Sequence, residues 1–450
     1  MKRIQLSLLF VALLVLLTGC SGAWKSNSEL GTGAPTINQS VGTVTLRYMI
    51  WDKNQVHAYQ KIIAAFRQIH PEINIDIQVI PWSNYWEKLM TEIAGGTAPD
   101  VFWGYIPRVP SLAERNALLP ISEYIKREVI DLASLNQALV KGFNYKGEQY
   151  GIPKDWDSMG VFYNKTLLKQ AGYEKYPQHL SWNPEDGGSF VKFLQDLTVD
   201  ANGKHPYEQG FDPNNIVQYG INYTDRGEWD PGEFVSFAKS NGAELMVNGQ
   251  FKPSDRLIAV MQFVNDLVFK YHVAPKYMDI KLTGSDQMFV SGQTVLWITG
   301  SWQMMPVKQK ASFEWGIAAL PNGPGQRRAV RVNGLADHIY AHTPHKDEAW
   351  QFVQFILSKD AQDILAETGT VFPVNPQSIP KFVDFYQSRG IDPRAFVQSF
   401  NAETVTTPVT KNYAEWVQVW YKNMALIFSG GLDLKTGIRN IEEEGKKITG

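Results

Sequence analysis

Apolar and polar positions recur along the chain with two periods, and their order predicts the first elements. Residues 44–50 read as a β-rich strand. From 55 to 69 apolar residues fall at Val56, Tyr59, Ile62, Ile63 and Phe66, the spacing of one helix face, and Pro71 stops that helix. Ile73, Ile75, Ile77 and Val79 then alternate as a strand does. Asn84 and Glu87 have capping-box spacing for a second helix that ends at Gly95 and Gly96. Residues 100–103 form a third short strand. Strand–helix–strand–helix–strand predicts a parallel α/β sheet with right-handed crossovers. Ligands of such sheets bind beyond the carboxyl ends of the strands. Trp51 and Asp52 fall at one such end, Trp103 at another, and Trp82 in the loop before Asn84.

Further along, the loops lengthen. Residues 181–188 and 202–215 are rich in Gly, Pro, Asn and Asp and read as surface insertions. Helical periodicity returns over 257–271, 349–365 and 413–428, the last with Trp416 and Trp420 at i, i+4. The chain has no internal repeat.

The start of the chain reads differently. A basic Met1-Lys2-Arg3 precedes an apolar run over 4–17, too short to span a bilayer core of about 30 Å comfortably. Residues 1–20 therefore read as a signal peptide. They close on Leu17-Thr18-Gly19-Cys20, which resembles the lipobox of bacterial lipoproteins. In that family the Cys is thioether-linked to a diacylglycerol, and two acyl chains suffice for stable anchoring where one does not. Residues 21–42 have the small, polar composition of a flexible tether. The expectation is a body held by a lipid on Cys20 at the cell membrane, on its extracytoplasmic face.

Composition narrows the class. The 450 residues suggest two domains. Lys+Arg 43 against Asp+Glu 45 gives a net charge of −2, which argues against a nucleic-acid binder. One Cys excludes a disulfide framework and a multi-cysteine metal site. The unusual figure is 14 Trp, which composition alone assigns neither to core nor to a ligand site.

Four stretches, in order, resemble the family 1 extracellular solute-binding proteins, the maltodextrin-binding-like lipoprotein receptors of carbohydrate ABC importers. The first runs from Gly96 through Ala98-Pro99-Asp100 to Trp103, followed by Leu118-Leu119-Pro120-Ile121. The second is Tyr150-Gly151-Ile152-Pro153 with Phe162-Tyr163-Asn164-Lys165 and Ala171-Gly172. The third is Met288-Phe289 through Gly292, then Ile298-Thr299-Gly300-Ser301-Trp302. The fourth is Ala319-Leu320-Pro321 and the helix at Glu348-Ala349-Trp350.

The resemblance implies an α/β, two-lobe periplasmic-binding-protein-like fold with discontinuous lobes joined by a hinge. Carried onto this chain, the N-terminal lobe is 41–154 plus 327–372 and the C-terminal lobe 155–326 plus 373–450. It implies a monomer that closes around a sugar, most simply a short oligosaccharide, and delivers it to permease subunits. It implies no cofactor, no metal and no catalysis. No Walker A motif is present, so the ATPase of such a system would be a separate chain.

A sugar ring has apolar C–H faces and a polar rim, so aromatic faces and carboxylates suit it. Trp302 and Trp103 match positions where relatives stack on sugar. Trp51 and Asp52 close the first strand. Asp155, Trp156 and Asp157 lie at the presumed hinge crossing. Trp229 and Asp230 sit in a second-lobe loop, and Trp82 and Phe372 complete the aromatic candidates. Asn333 joins them, although Arg331-Val332-Asn333-Gly334-Leu335 stands where relatives often have a more Gly-rich strand start, which leaves the roles of Arg331 and Asn333 open. Trp86, Trp297, Trp315, Trp350, Trp416 and Trp420 lie in periodic apolar runs and read as core.

Rival chemistries fit less well. A retaining glycoside hydrolase needs two carboxyls about 5–5.5 Å apart, usually from different strand ends; Asp155 and Asp157 on one strand disfavour that role, but on a turn they could converge, so this alternative stays open. His338, His342 and His345 lack the spacing of a helical metal pair, and Pro344 breaks any helix there. A receptor of the same fold for a peptide would need fixed charges for both termini. The aromatic and acidic candidates suit a neutral sugar, or a cation such as a polyamine.

Overall fold

The computed structural model describes residues 43–224, 229–400 and 403–449; the leader, Cys20 and the tether lie outside the described residues. In chain order the strands are β1 (Val44–Ile50), β2 (Ile73–Val79), β3 (Val101–Tyr105), the hairpin β4 (Asn144–Tyr145) and β5 (Glu148–Gln149), β6 (Asp155–Asn164), β7 (Val199–Asp200), β8 (Ile216–Asn222), β9 (Thr294–Gly300), β10 (Trp315–Ala318), β11 (Ala329–Asn333), β12 (Leu335–Ile339), β13 (Phe372–Pro373) and β14 (Glu403–Val405).

The first sheet has the order β12-β3-β1-β2. β1 runs parallel to β2 and β3, as the alternating periods predict, and β12 returns antiparallel to β3. The helix Val56–Ile69 buries Tyr59, Ile62 and Phe66 of its apolar stripe, on the side where Phe66 meets Phe352. The second helix starts earlier than its capping-box spacing suggests. It spans Trp82–Ala94 with Pro81 before it and no side-chain cap. Pro81 holds an extended ψ of 144° and hands the chain to Trp82, while the Asn84 amide oxygen accepts from the Ser83 hydroxyl. Trp82 therefore stands on the first helical turn rather than in a loop. The helical period over 349–365 is two helices, Lys346–Ile356 and Lys359–Glu367. Ser358 divides them by capping the second, its hydroxyl accepting from the Ala361 N–H.

The second sheet has eight strands in the order β14-β11-β6-β9-β8-β7, with β10 and β13 also paired to β6. All seven residues of β9 are buried. Helices Asp255–Phe269 and Tyr413–Phe428 pack a second core holding Trp416, Trp420 and Trp182. Trp297, Trp315 and Trp350 are buried as well, and Trp86 is half-buried.

The sheets meet where three segments run side by side. β11 ends in the second sheet at Asn333, and β12 begins in the first at Leu335. Between them Gly334 leaves no room for a side chain, since a Cβ there would lie 2.8 Å from the Asp155 carbonyl oxygen. Lys154 donates its backbone N–H to the Leu335 carbonyl, and β13 pairs Phe372 with Trp156. Gln362 locks the arrangement. Its amide NH₂ donates to the Lys154 carbonyl at 2.9 Å, and its oxygen accepts from the Val374 N–H at 2.7 Å.

Candidate functional site

A cleft of about 490 Å³ opens beside this crossing, lined from both sheets. Trp51, Asp52 and Gln55 line it just beyond β1, with Trp82 and Tyr105. Trp51 anchors that wall by edge-to-face contacts with Trp82 (5.2 Å), Tyr85 (4.9 Å) and Trp103 (5.0 Å). Asp52 caps the turn that follows, accepting from the Asn54 N–H at 2.9 Å.

Asp155, Trp156 and Asp157 open β6 and line the cleft along the crossing. The Lys154 ammonium lies 2.7 Å from the Asp155 carboxylate, donates to the Tyr59 hydroxyl at 2.6 Å, and sits 4.2 Å from the Trp103 ring centroid. Burial is the largest influence and opposes its charge, but Asp155, Tyr59 and Asp337 together outweigh it and hold the lysine pKa above its ordinary value. The other Asp155 oxygen accepts from the Leu335 N–H at 3.0 Å. Asp155 is therefore engaged through both oxygens at the crossing. Nearby, Asp337 accepts from the Tyr48 hydroxyl at 2.6 Å, and burial pushes its pKa up to about 6.

The facing wall comes from the second sheet. Trp302 follows β9, its ring over Gly300, where a Cβ would meet that ring at 1.8 Å. The Arg331 guanidinium lies 5.1 Å from the Trp302 ring and 2.8 Å from Asp157. Asp157 also accepts from the Asn333 amide at 3.3 Å. Asp230 caps the helix Pro231–Ser240, accepting from the Gly232 N–H at 2.7 Å, and takes the Tyr421 hydroxyl at 2.7 Å. Asp286 and Lys310 pair at 2.7 Å among the lining residues.

Asp155 and Asp157, two apart on one strand, share a face and both reach the cleft. Each is held in an ion pair, Asp155 with Lys154 and Asp157 with Arg331, which suits positioning rather than an acid–nucleophile pair. His338 is not at the surface: it is buried against Gly104, its Nδ1 within 2.7 Å of the Tyr150 carbonyl, and burial lowers its pKa to about 4. Among the described residues no three His, Cys, Asp or Glu side chains group as a metal site.

The family model for bacterial extracellular solute-binding protein matches residues 61–389. The chain belongs to that family. The solute-binding protein is 26% identical over 349 residues to the lactose-binding protein of Rhizobium radiobacter, covering 73% of this chain and 74% of the relative. It is 24% identical to the maltooligosaccharide ABC transporter solute-binding lipoprotein of Streptococcus pneumoniae, covering 78% and 76%. Among solved structures, the ABC substrate-binding protein Lmo0181 of Listeria monocytogenes in complex with cycloalternan superposes with a TM-score of 0.78 at 21% identity, covering 90% of this chain and 98% of that one. The fold is the two-lobe, α/β binding-protein fold. Among the described residues no helix is long and apolar enough to cross a membrane.

Of the candidates in the solute-binding protein, Trp51, Asp52, Trp82, Asp155, Trp156, Asp157, Asp230, Trp302 and Asn333 come together in the cleft. Trp103, Trp229 and Phe372 do not line it. β3 continues two residues past Trp103, and that indole is buried, donating to the Tyr48 hydroxyl at 2.6 Å behind Trp51. Trp229 has a left-handed backbone (φ 54°) and lies flat on Phe428, centroids 3.6 Å apart. Its carbonyl accepts from the Trp420 indole at 2.6 Å, which fixes it in the second core. Phe372 stacks beneath Trp156 at 4.2 Å and on Phe382, so it backs the crossing without facing the cleft.

The cleft also holds residues that sequence reasoning did not select: Tyr105, Glu233, Thr407 and Tyr421. Pro231 announces the helix that carries Glu233, so that signal was present. Tyr421 follows the core residue Trp420 by one position, on the flank of the buried stripe. Nothing local marks Thr407.

Proposed function

We propose that this solute-binding protein captures a carbohydrate, a short oligosaccharide, between its two lobes and hands it to the permease of an ABC importer. The ATPase is a separate chain, and nothing covalent happens to the sugar. The receptor acts as a monomer on the extracytoplasmic face of the cell membrane, held by a diacylglycerol on Cys20, which becomes the first residue once residues 1–19 are removed. The change of sheet at Gly334 supports reading the crossing there rather than at 327.

The observation that carries the proposal is the pairing of indoles with engaged carboxylates in one cleft. Trp51, Trp82 and Trp302 supply flat apolar faces from both sheets, and Asp157 and Asp230 supply acceptors. That combination covers both faces of a ring and satisfies its rim. The lactose and maltooligosaccharide names of the relatives and the cycloalternan complex support the same ligand class. The lipoprotein name of one relative supports the anchor.

Tryptophan fluorescence and calorimetry against a panel of mono- and oligosaccharides test the reading. Saturable binding of an oligosaccharide is expected. Binding of a polyamine or peptide, with no response to any saccharide, would overturn it.

A further inference from the structure

One patch of the second wall carries hydrogen-bonding capacity that the protein itself does not use. Arg331 and Asn333 stand two apart on β11 and so share a face. Asp157 grips both, one oxygen on the guanidinium at 2.8 Å and the other on the amide NH₂ at 3.3 Å. Those contacts leave Arg331 Nε and Asn333 Oδ1 buried without partners among the described residues, and Thr407 Oγ1 is in the same condition. All three residues are more than nine-tenths buried, and all line the cleft. The cluster is contiguous. Around the position where a Gly232 side chain would stand, Asp230 Oδ1, Thr407 Oγ1 and Arg331 Cδ lie at 2.9, 3.1 and 3.2 Å. The Arg331 guanidinium also lies 5.1 Å from the Trp302 ring, so the polar atoms adjoin an indole.

Buried polar atoms are nearly always hydrogen-bonded, and leaving one unmade is unfavourable. Several such atoms in one pocket therefore point to a ligand that completes them. The set is one donor (Nε), one acceptor (Oδ1) and one hydroxyl that does either. A carboxylate or other anion without a proton cannot donate to Asn333, and the acidic Asp230 and Glu233 beside the subsite disfavour any anion. A cation cannot accept from Arg331. Hydroxyl groups do both.

We propose that Arg331 Nε, Asn333 Oδ1 and Thr407 Oγ1 form a polar subsite beside Trp302 that reads adjacent hydroxyls of one sugar ring. The subsite rests on the carbohydrate reading and deepens it: it sets which hydroxyls the receptor requires. Asp157 acts through Arg331 and Asn333, neutralising the guanidinium and aiming both side chains.

The test titrates the full chain by calorimetry with glucose-, galactose- and mannose-based di- and trisaccharides, and then with monodeoxy derivatives of the saccharide that binds. Thr407→Val removes the hydroxyl with little change of shape, and Arg331→Lys keeps the charge without Nε. Each is expected to weaken binding about tenfold or more, with the melting temperature of the unliganded protein nearly unchanged. At least one monodeoxy sugar should lose affinity against the natural chain and lose little more against the matching variant. Unchanged affinity in both variants, with the natural chain binding a saccharide, overturns the subsite and leaves the carbohydrate reading standing. Equal further loss for every deoxy sugar in a weakened variant also overturns it, because that is the signature of a structural role. If the natural chain binds no saccharide and does bind a polyamine or peptide, the carbohydrate reading falls and the subsite falls with it.

Discussion

The Lys154 ammonium lies 2.7 Å from the Asp155 carboxylate at the point where the chain leaves one sheet for the other, and neither side chain is more than 3% exposed. An ion pair this deep stabilises only while both partners are present, because either one alone is a buried unpaired charge. Lys154→Met is therefore expected to lower the unfolding free energy by about 3–5 kcal/mol, and the double variant Lys154→Met, Asp155→Leu to cost less than the single one. Urea denaturation of the three proteins checks this. A loss below about 1 kcal/mol in the single variant would show that the pair does not bear on folding.

The neighbouring Asp337 and His338 give stability a pH dependence with opposing parts. Asp337 holds its proton more tightly folded, with a pKa near 6, than unfolded, so its contribution is complete below the ordinary carboxylate pKa and is lost as pH rises through about 6. His338 holds its proton less tightly folded, with a pKa near 4, so its contribution grows as pH rises from about 4 towards the ordinary histidine value. Asp337→Asn removes the falling part. Stability of that variant, followed by denaturation from pH 4 to 6.5, is expected to climb more steeply than that of the natural chain. Parallel curves would place the Asp337 proton elsewhere.

Trp302 depends on the residue two before it. Its ring covers Gly300 so closely that any Cβ there displaces it. Trp302→Ala is expected to weaken saccharide binding at least tenfold, about 1.4 kcal/mol. Gly300→Ala should do the same by moving the indole, although its backbone φ of −98° tolerates alanine. Calorimetry of both variants decides it, and full affinity in Gly300→Ala would detach Trp302 from the ligand.

Trp229 separates packing from recognition. It is buried flat against Phe428, away from the cleft. Trp229→Ala is expected to cost about 3–5 kcal/mol of stability. Under conditions where the variant is folded, its sugar affinity should stay within a few-fold of the natural value. A large loss of affinity at unchanged stability would reverse that assignment.

The periodic parts of the fold were legible in the sequence for a simple reason: a helix or strand half-buried on one face records its period locally. The run through Val56, Tyr59, Ile62 and Phe66 became a helix on that face, and Ile73 to Val79 a strand. The site was legible less evenly. Trp51 and Trp103 look alike as tryptophans near strand ends. Which one opens to the cleft depends on β3 running on to Tyr105, which keeps Trp103 within the sheet. The inward turn of Trp229 rests on a left-handed backbone that tryptophan rarely adopts, so no propensity announces it. Thr407 comes near Arg331 only because β14 pairs in parallel with β11, a relation between distant segments that local pattern does not encode.

Small-angle scattering of the full chain, with and without the saccharide it binds best, tests the clamping of a sugar between two lobes most directly. The radius of gyration is expected to fall on addition of the sugar, and the change should vanish in Trp302→Ala at the same sugar concentration. Identical scattering with every saccharide, and no sugar retained by the protein, would contradict the account.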